Sequence, residues 1–206
     1  ASTLLNAGKT TNFIYKINNN KIDERLINQI DTKSKIKDRI SKILELNGEF
    51  NFIQTESSIF ENNLMLIDSA LPNILGQLLL IFNTTNKSKI SDLISEINRI
   101  NPMKFNLEHN HPFYTYKIKR FLTDIALGMM PSKVWTGELD ATGGYLIVKE
   151  DGEVLCYHIY NRNEFEDYLF YNTKFETASS TRHGFGTLYK EVDELFFKLN
   201  LQIRFL

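Results

Sequence analysis

From Leu195 to Phe205 the chain alternates without a break: Leu195, Phe197, Leu199, Leu201, Ile203 and Phe205 are separated by Phe196, Lys198, Asn200, Gln202 and Arg204. A period of two sends successive side chains to opposite faces of a sheet. The segment therefore predicts one long strand with a dry face and a mostly polar face. A dry face has to be covered, so the chain must also supply elements that pack on it.

The cover is predicted to be helical. Between Asp23 and Leu46, the residues Leu26, Ile27, Ile30, Ile36, Ile40, Ile43 and Leu44 recur at intervals of three and four, as in a helix or helix pair stopped by Asn47 and Gly48. Ser57 or Ser58 is placed to cap a helix reaching about Ala70, with Glu61 spaced for a reciprocal bond. Pro72 suits the first turn of the next, whose stripe is Ile74, Leu75, Leu78, Leu79 and Phe82. Residues 91–100 and 113–129 read as two more helices, while Phe13, Tyr15 and Ile17, and then residues 50–54, predict short strands.

After Pro131 the texture becomes β-rich. Two apolar runs flank Asp151-Gly152, a dipeptide that suits a two-residue turn with both central residues at positive φ; that turn sets Val148 opposite Leu155 and Leu146 opposite Tyr157. A helix from about Glu164 to Tyr171 follows, with Asn163 as its cap and Glu166 three residues on. The predicted class is α+β, with a helical N-terminal two-thirds packed on a C-terminal mixed or antiparallel sheet. A soft boundary near Pro131 divides residues 1–130 from 131–206, and the two regions are also compatible with one compact domain.

Bulk properties exclude several classes. Across 206 residues, 24 Lys and Arg face 25 Asp and Glu, so any nucleic-acid surface has to be a local patch. The lone Cys156 rules out an internal disulfide and fits a reducing cytoplasm; a buried Cys156 and a hydrogen-bonded His158 are expected on their strand. The most apolar stretch, residues 78–82, is far shorter than the roughly 20 residues a membrane span requires, so a soluble protein is expected. The opening ASTLLNAGKTTNF has neither an initiator Met nor a secretory signal and reads as a start within a longer protein.

Residues 172–186, NTKFETASSTRHGFG, hold the richest set of donors. Ser179, Ser180, Thr181, Arg182 and His183 offer hydroxyl, guanidinium and imidazole groups, and Gly184 and Gly186 permit close backbone approach. Such groups suit phosphates and base edges, although a solvated turn has the same composition. The polar face of the last strand adds Lys198, Asn200, Gln202 and Arg204, and Arg162 lies just before a helix. For catalysis, Asp140 with Glu138, Lys149 and Glu153 imitates an acidic and lysine pattern, yet no lysine stands two positions after Glu153. His109 and His111 lack companions for a metal.

Three runs carry a resemblance: LLNAGKTTNFIYKI at 4–17, DATGGYLIVKEDGEVLCYHIYNRNEFEDYLFYNTKFETASSTRHGFG at 140–186, and FFKLNLQIRF at 196–205. They resemble type II restriction endonucleases of the HpaII type. The resemblance implies a restriction-endonuclease-like fold and Mg²⁺-dependent, sequence-specific cleavage of double-stranded DNA beside a cognate methyltransferase. It also implies DNA contacts at Arg162, Ser180, Arg182 and His183, with Lys174, Lys198, Gln202 and Arg204 as additions. The acidic-x-lysine strand of such enzymes is expected just before the segment with which this chain opens. The catalytic residues are therefore expected upstream of Ala1, with Asp140 as the alternative within the chain. A homodimer suits staggered cutting of a palindrome.

Overall fold

The computed structural model describes residues 2–139, 144–158 and 161–206. In chain order, β1 (Thr3–Leu5) and β2 (Asn12–Ile17) lead into helices α1 (Glu24–Asn28) and α2 (Lys35–Glu45). Strand β3 (Phe50–Thr55) precedes four helices: α3 (Ser58–Ile67), α4 (Leu71–Thr84), α5 (Ile90–Ile100) and α6 (Phe113–Ala126). The hairpin β4 (Gly144–Val148) and β5 (Val154–His158) is followed by α7 (Arg162–Tyr171), β6 (Thr173–Phe175) and the single-turn α8 (Ser180–His183). Strands β7 (Leu188–Glu191), β8 (Glu194–Asn200) and β9 (Ile203–Phe205) close the chain.

The fold is α+β, and every strand pairing among the described residues is antiparallel. The sheet does not belong to the C-terminal part alone. Strand β2 sits between β3 and β8 in a sheet ordered β3-β2-β8-β7, and β1 pairs with β9 in a second, ordered β1-β9-β6. Phe13, Tyr15 and Ile17 are wholly buried, because β2 is an interior strand whose apolar face lies under the helices. The Tyr15 hydroxyl donates to the Gly76 carbonyl at 2.6 Å, which satisfies a polar atom inside the core. A side chain at position 76 would come within 2.9 Å of the Phe52 ring, so glycine is what lets α4 lie against β3. One buried cluster joins these strands to Ile36, Ile40 and Ile43 of α2 and to Ile90, Leu93 and Ile97 of α5.

Four local expectations are corrected. The last strand is two strands: the alternation survives, but β8 follows β2 and β9 follows β1. Between β1 and β2 the chain turns through residues 8–11, and the partner strand breaks at Leu201 and Gln202 to match, with the Leu201 amide donating to the Thr11 carbonyl at 3.0 Å. Asn200, expected on the polar face, is buried at this break, where its Nδ2 donates to Gly8 O and Asn12 Oδ1, each at 2.7 Å. The hairpin is one residue out of the expected register, with Val148 opposite Val154 and Leu146 opposite Cys156. Its loop has three residues: the Lys149 amide donates to Glu153 O, the Gly152 amide to Lys149 O, and only Gly152 has positive φ, at 85°. Leu155 and Tyr157 then face inward, Tyr157 packing on Phe165 and Tyr168, so Cys156 is exposed and not buried.

Helix caps differ too. Ser57 caps α3 by accepting from the Phe60 amide, but Glu61 bonds the Thr55 amide at 2.6 Å instead of the cap. Helix α7 starts one residue before the predicted cap, leaving Asn163 exposed in its first turn and Asn161 at the cap without a side-chain bond. Among the described residues no single helix is long and apolar enough to cross a membrane; α3 and α4 reach that composition only as a pair bent by 107°.

Candidate nucleic-acid interface

The donor-rich segment forms a loop, residues 176–187, built around α8. Ser179 caps α8 by accepting from the Arg182 amide at 3.4 Å, and Gly184 ends it with φ at 65°, a conformation glycine adopts without penalty. Side chains of β2, α1 and α2 pin the C-terminal end of the loop. Arg39 of α2 donates from Nη1 to Gly186 O at 2.6 Å, from Nη2 to Asn28 O at 2.7 Å and from Nε to Ile30 O at 3.0 Å. Burial pulls the Arg39 pKa down from its ordinary value, against Asp31, which acts to raise it. Asn28 closes a two-bond clasp on Leu188, accepting from its amide at 2.9 Å and donating to its carbonyl at 2.7 Å. Asn12 donates to His183 O at 2.9 Å, and the Gly186 amide donates to Lys198 O at 2.9 Å. The backbone is thus fixed while Arg182 and Thr181 face solvent and Ser180 and His183 are half-buried.

The other predicted contacts fall around the roots of this loop. At the β6 root, Arg204 donates to Glu176 at 2.6 Å, Lys174 approaches the same carboxylate at 3.7 Å, and the Glu176 amide donates to Gln202 O at 3.2 Å. The Arg204 hydrogen bond leads the effects that hold the Glu176 carboxyl below its ordinary pKa. Beside the β7 root, on the neighbouring strand β8, Lys198 lies 2.9 Å from Glu56 and 5.4 Å from the Tyr189 ring centre. Burial acts to raise the Glu56 pKa, but hydrogen bonds from Asn12 and Lys198 outweigh it, so the carboxyl is held below its ordinary value. Arg162 stands elsewhere, at the start of α7, with Nε on Glu166 at 2.9 Å and a buried Nη2 that has no hydrogen-bond partner among the described residues. Beside it Asp124 is almost wholly buried, and desolvation raises its pKa despite Arg120 and Arg162. No hydrogen bond or ion pair among the described residues joins Arg162 to the loop.

A family model described as HpaII restriction endonuclease matches residues 1–205. The chain belongs to the HpaII restriction endonuclease family. It is 53% identical over 205 residues to the type II restriction enzyme HpaII of Haemophilus parainfluenzae, a match that covers 100% of this chain and 57% of that protein. This HpaII-family chain therefore spans a little over half the length of the curated relative it matches. No solved structure matches it.

The Mg²⁺ implied for the HpaII family can be set against the donors present. Mg²⁺ takes hard oxygen ligands in near-octahedral order, supplied by one or two carboxylates together with water and substrate phosphate. Among the described residues no three His, Cys, Asp or Glu side chains gather closely enough to hold a metal ion. Glu56 and Glu176 are each engaged by cations, Lys149 is paired with Glu153 at the hairpin, and Asp140 lies outside the described residues. The described residues thus offer no gathered set of acidic ligands for Mg²⁺. Sequence reasoning also missed the side chains that shape the loop. Arg39 carried a usable signal, since position 39 follows Ile36 by three on the apolar face of α2, where an arginine must find buried acceptors. Asn12 and Asn28 carried none, because their partners lie more than 150 residues away.

Proposed function

We propose that this chain is the DNA-gripping portion of a type II restriction endonuclease that cleaves phosphodiester bonds of double-stranded DNA with Mg²⁺, within a cytoplasmic restriction-modification system. Family membership and 53% identity to a type II restriction enzyme support the reading. The observation that carries it in this chain is the pinned loop of residues 176–187, where an arginine with no ion pair among the described residues projects from a rigid base. A guanidinium so presented can bond a guanine edge at two points, and neighbouring hydroxyls can position phosphates. Lys174, Lys198, Gln202 and Arg204 border the contact, and Arg162 adds to it only after leaving Glu166. The wider protein has a restriction-endonuclease-like fold and works as a homodimer. Its catalytic acids and lysine belong to the part of the relative's length with which this chain has no counterpart.

The test is incubation of the natural full-length protein with a mixed-sequence plasmid, with and without Mg²⁺. Discrete fragments that appear only with the metal are expected. A gel shift without cutting would contradict the nuclease reading and favour a protein that binds DNA without cleaving it.

A further inference from the structure

The tetrapeptide Lys-Ser-Lys-Ile occurs twice, at residues 33–36 and 87–90, far apart in the chain and each at the start of an apolar-faced helix. The fold brings both copies to one side of the loop described above. Lys37 donates to Thr85 O at 2.8 Å, tying the start of α2 to the turn that leads into the second copy. In that copy, Ser88 O accepts from the Phe175 amide at 2.9 Å and Lys89 bridges to Lys174, so it abuts the strand from which the loop departs. Between the first copy and the loop lies a cleft of about 370 Å³ whose lining includes Lys33, Lys35, Lys37, Thr177, Ser179 and Ser180.

Cations and hydroxyls converging on an open cleft suit an anion, and little in the protein neutralises them. Asp31 lies 3.3 Å from Lys35 and Glu96 lies 2.6 Å from Lys87, but Lys33 and Lys89 are exposed and have no ion-pair partner among the described residues. Both copies also place positive charge at the start of a helix, where it opposes the helix dipole and disfavours the fold. A chain with 24 basic and 25 acidic residues thus concentrates five lysines in these two segments and the residue after the first, and leaves Lys33 and Lys89 among them without an ion pair among the described residues.

We propose that the two Lys-Ser-Lys-Ile segments together form a surface that grips the sugar-phosphate backbone of duplex DNA beside the bases approached by α8, adding affinity without sequence preference. This rests on reading the protein as a duplex-DNA binder, and it assigns α2 and the α4–α5 turn to the interface.

The experiment measures binding of the natural full-length protein, without Mg²⁺, to two fluorescent duplexes of different sequence across a salt series. For a K33Q/K89Q double variant, the slope of log affinity against log salt is expected to flatten by about 0.9 for each phosphate that the variant no longer neutralises. Affinity should fall by the same factor on both duplexes, the melting temperature should hold or rise, and K33R/K89R should keep the original slope. Unchanged affinity and slope in K33Q/K89Q, while the parent protein binds, would overturn this inference and leave the proposed function standing. A lowered melting temperature with no slope recovered by the arginines would also overturn it, because the lysines would then serve the fold. A parent protein that binds neither duplex would overturn the proposed function and this inference together.

Discussion

Arg39 is a buried cation whose hydrogen bonds run to three backbone carbonyls, so it holds the turn after α1 and the glycine end of the 176–187 loop in one fork. Hydrogen bonds from a charged donor contribute about 1.5–3 kcal/mol, and truncation leaves buried acceptors unmet. Arg39→Ala should therefore lower stability by at least ~1.5 kcal/mol in urea denaturation, and Arg39→Lys should recover little of it, since an ammonium lacks the planar fork. Glu56, paired with Lys198 of β8, makes the support beside the β7 root pH-dependent. Its folded pKa lies below its ordinary value of 4.5, so it contributes stability above that pH and loses it as pH falls through the folded value. Glu56→Gln should flatten the stability profile below about pH 4.5, as read by thermal melts across pH. Arg182→Ala should weaken binding of cognate DNA by ~1–3 kcal/mol and relax preference at one base, measured by titration at fixed salt. At this scale the donors of α8 were legible because loop composition exposes them. Asn200 and Cys156 were not, since each is placed by where its strand bends or turns.

Helix positions and apolar faces were legible because 3.6-residue periodicity is local. Strand continuity and register were less so. The alternation from Leu195 to Phe205 records which side chains face inward, and it says nothing about a change of partner strand at Leu201. The Asp-Gly signal located the hairpin turn correctly, but the loop took three residues, and that moved the pairing by one position. Close packing between elements gives a sharper test of the fold. Gly76→Ala would press a methyl group into the inner atoms of the Phe52 ring, which the β3 backbone holds in place. Overpacking of that kind costs about 1–3 kcal/mol, so the variant should melt several degrees lower and recover partly with Phe52→Leu.

Over the whole molecule, the two ends of the chain build the sheets jointly, with β1 and β2 lying against β9 and β8. The boundary near Pro131 marks a change of composition, and both of these sheets cross it, with β1 and β2 on one side paired to β9 and β8 on the other. Such pairings over nearly the full chain length leave no local trace in a single sequence. Net charge hid the surface in the same way: near-equal acids and bases conceal lysines gathered beside the loop. If residues 176–187 are where this protein grips duplex DNA, they must become shielded when a duplex binds. Hydrogen–deuterium exchange of the full-length protein, with and without a bound mixed-sequence duplex and without Mg²⁺, tests this most directly. Slowed exchange in residues 176–187 and 33–37 is expected when the duplex is bound. Tight binding with unchanged exchange in both segments, and protection confined to other surfaces, would contradict it.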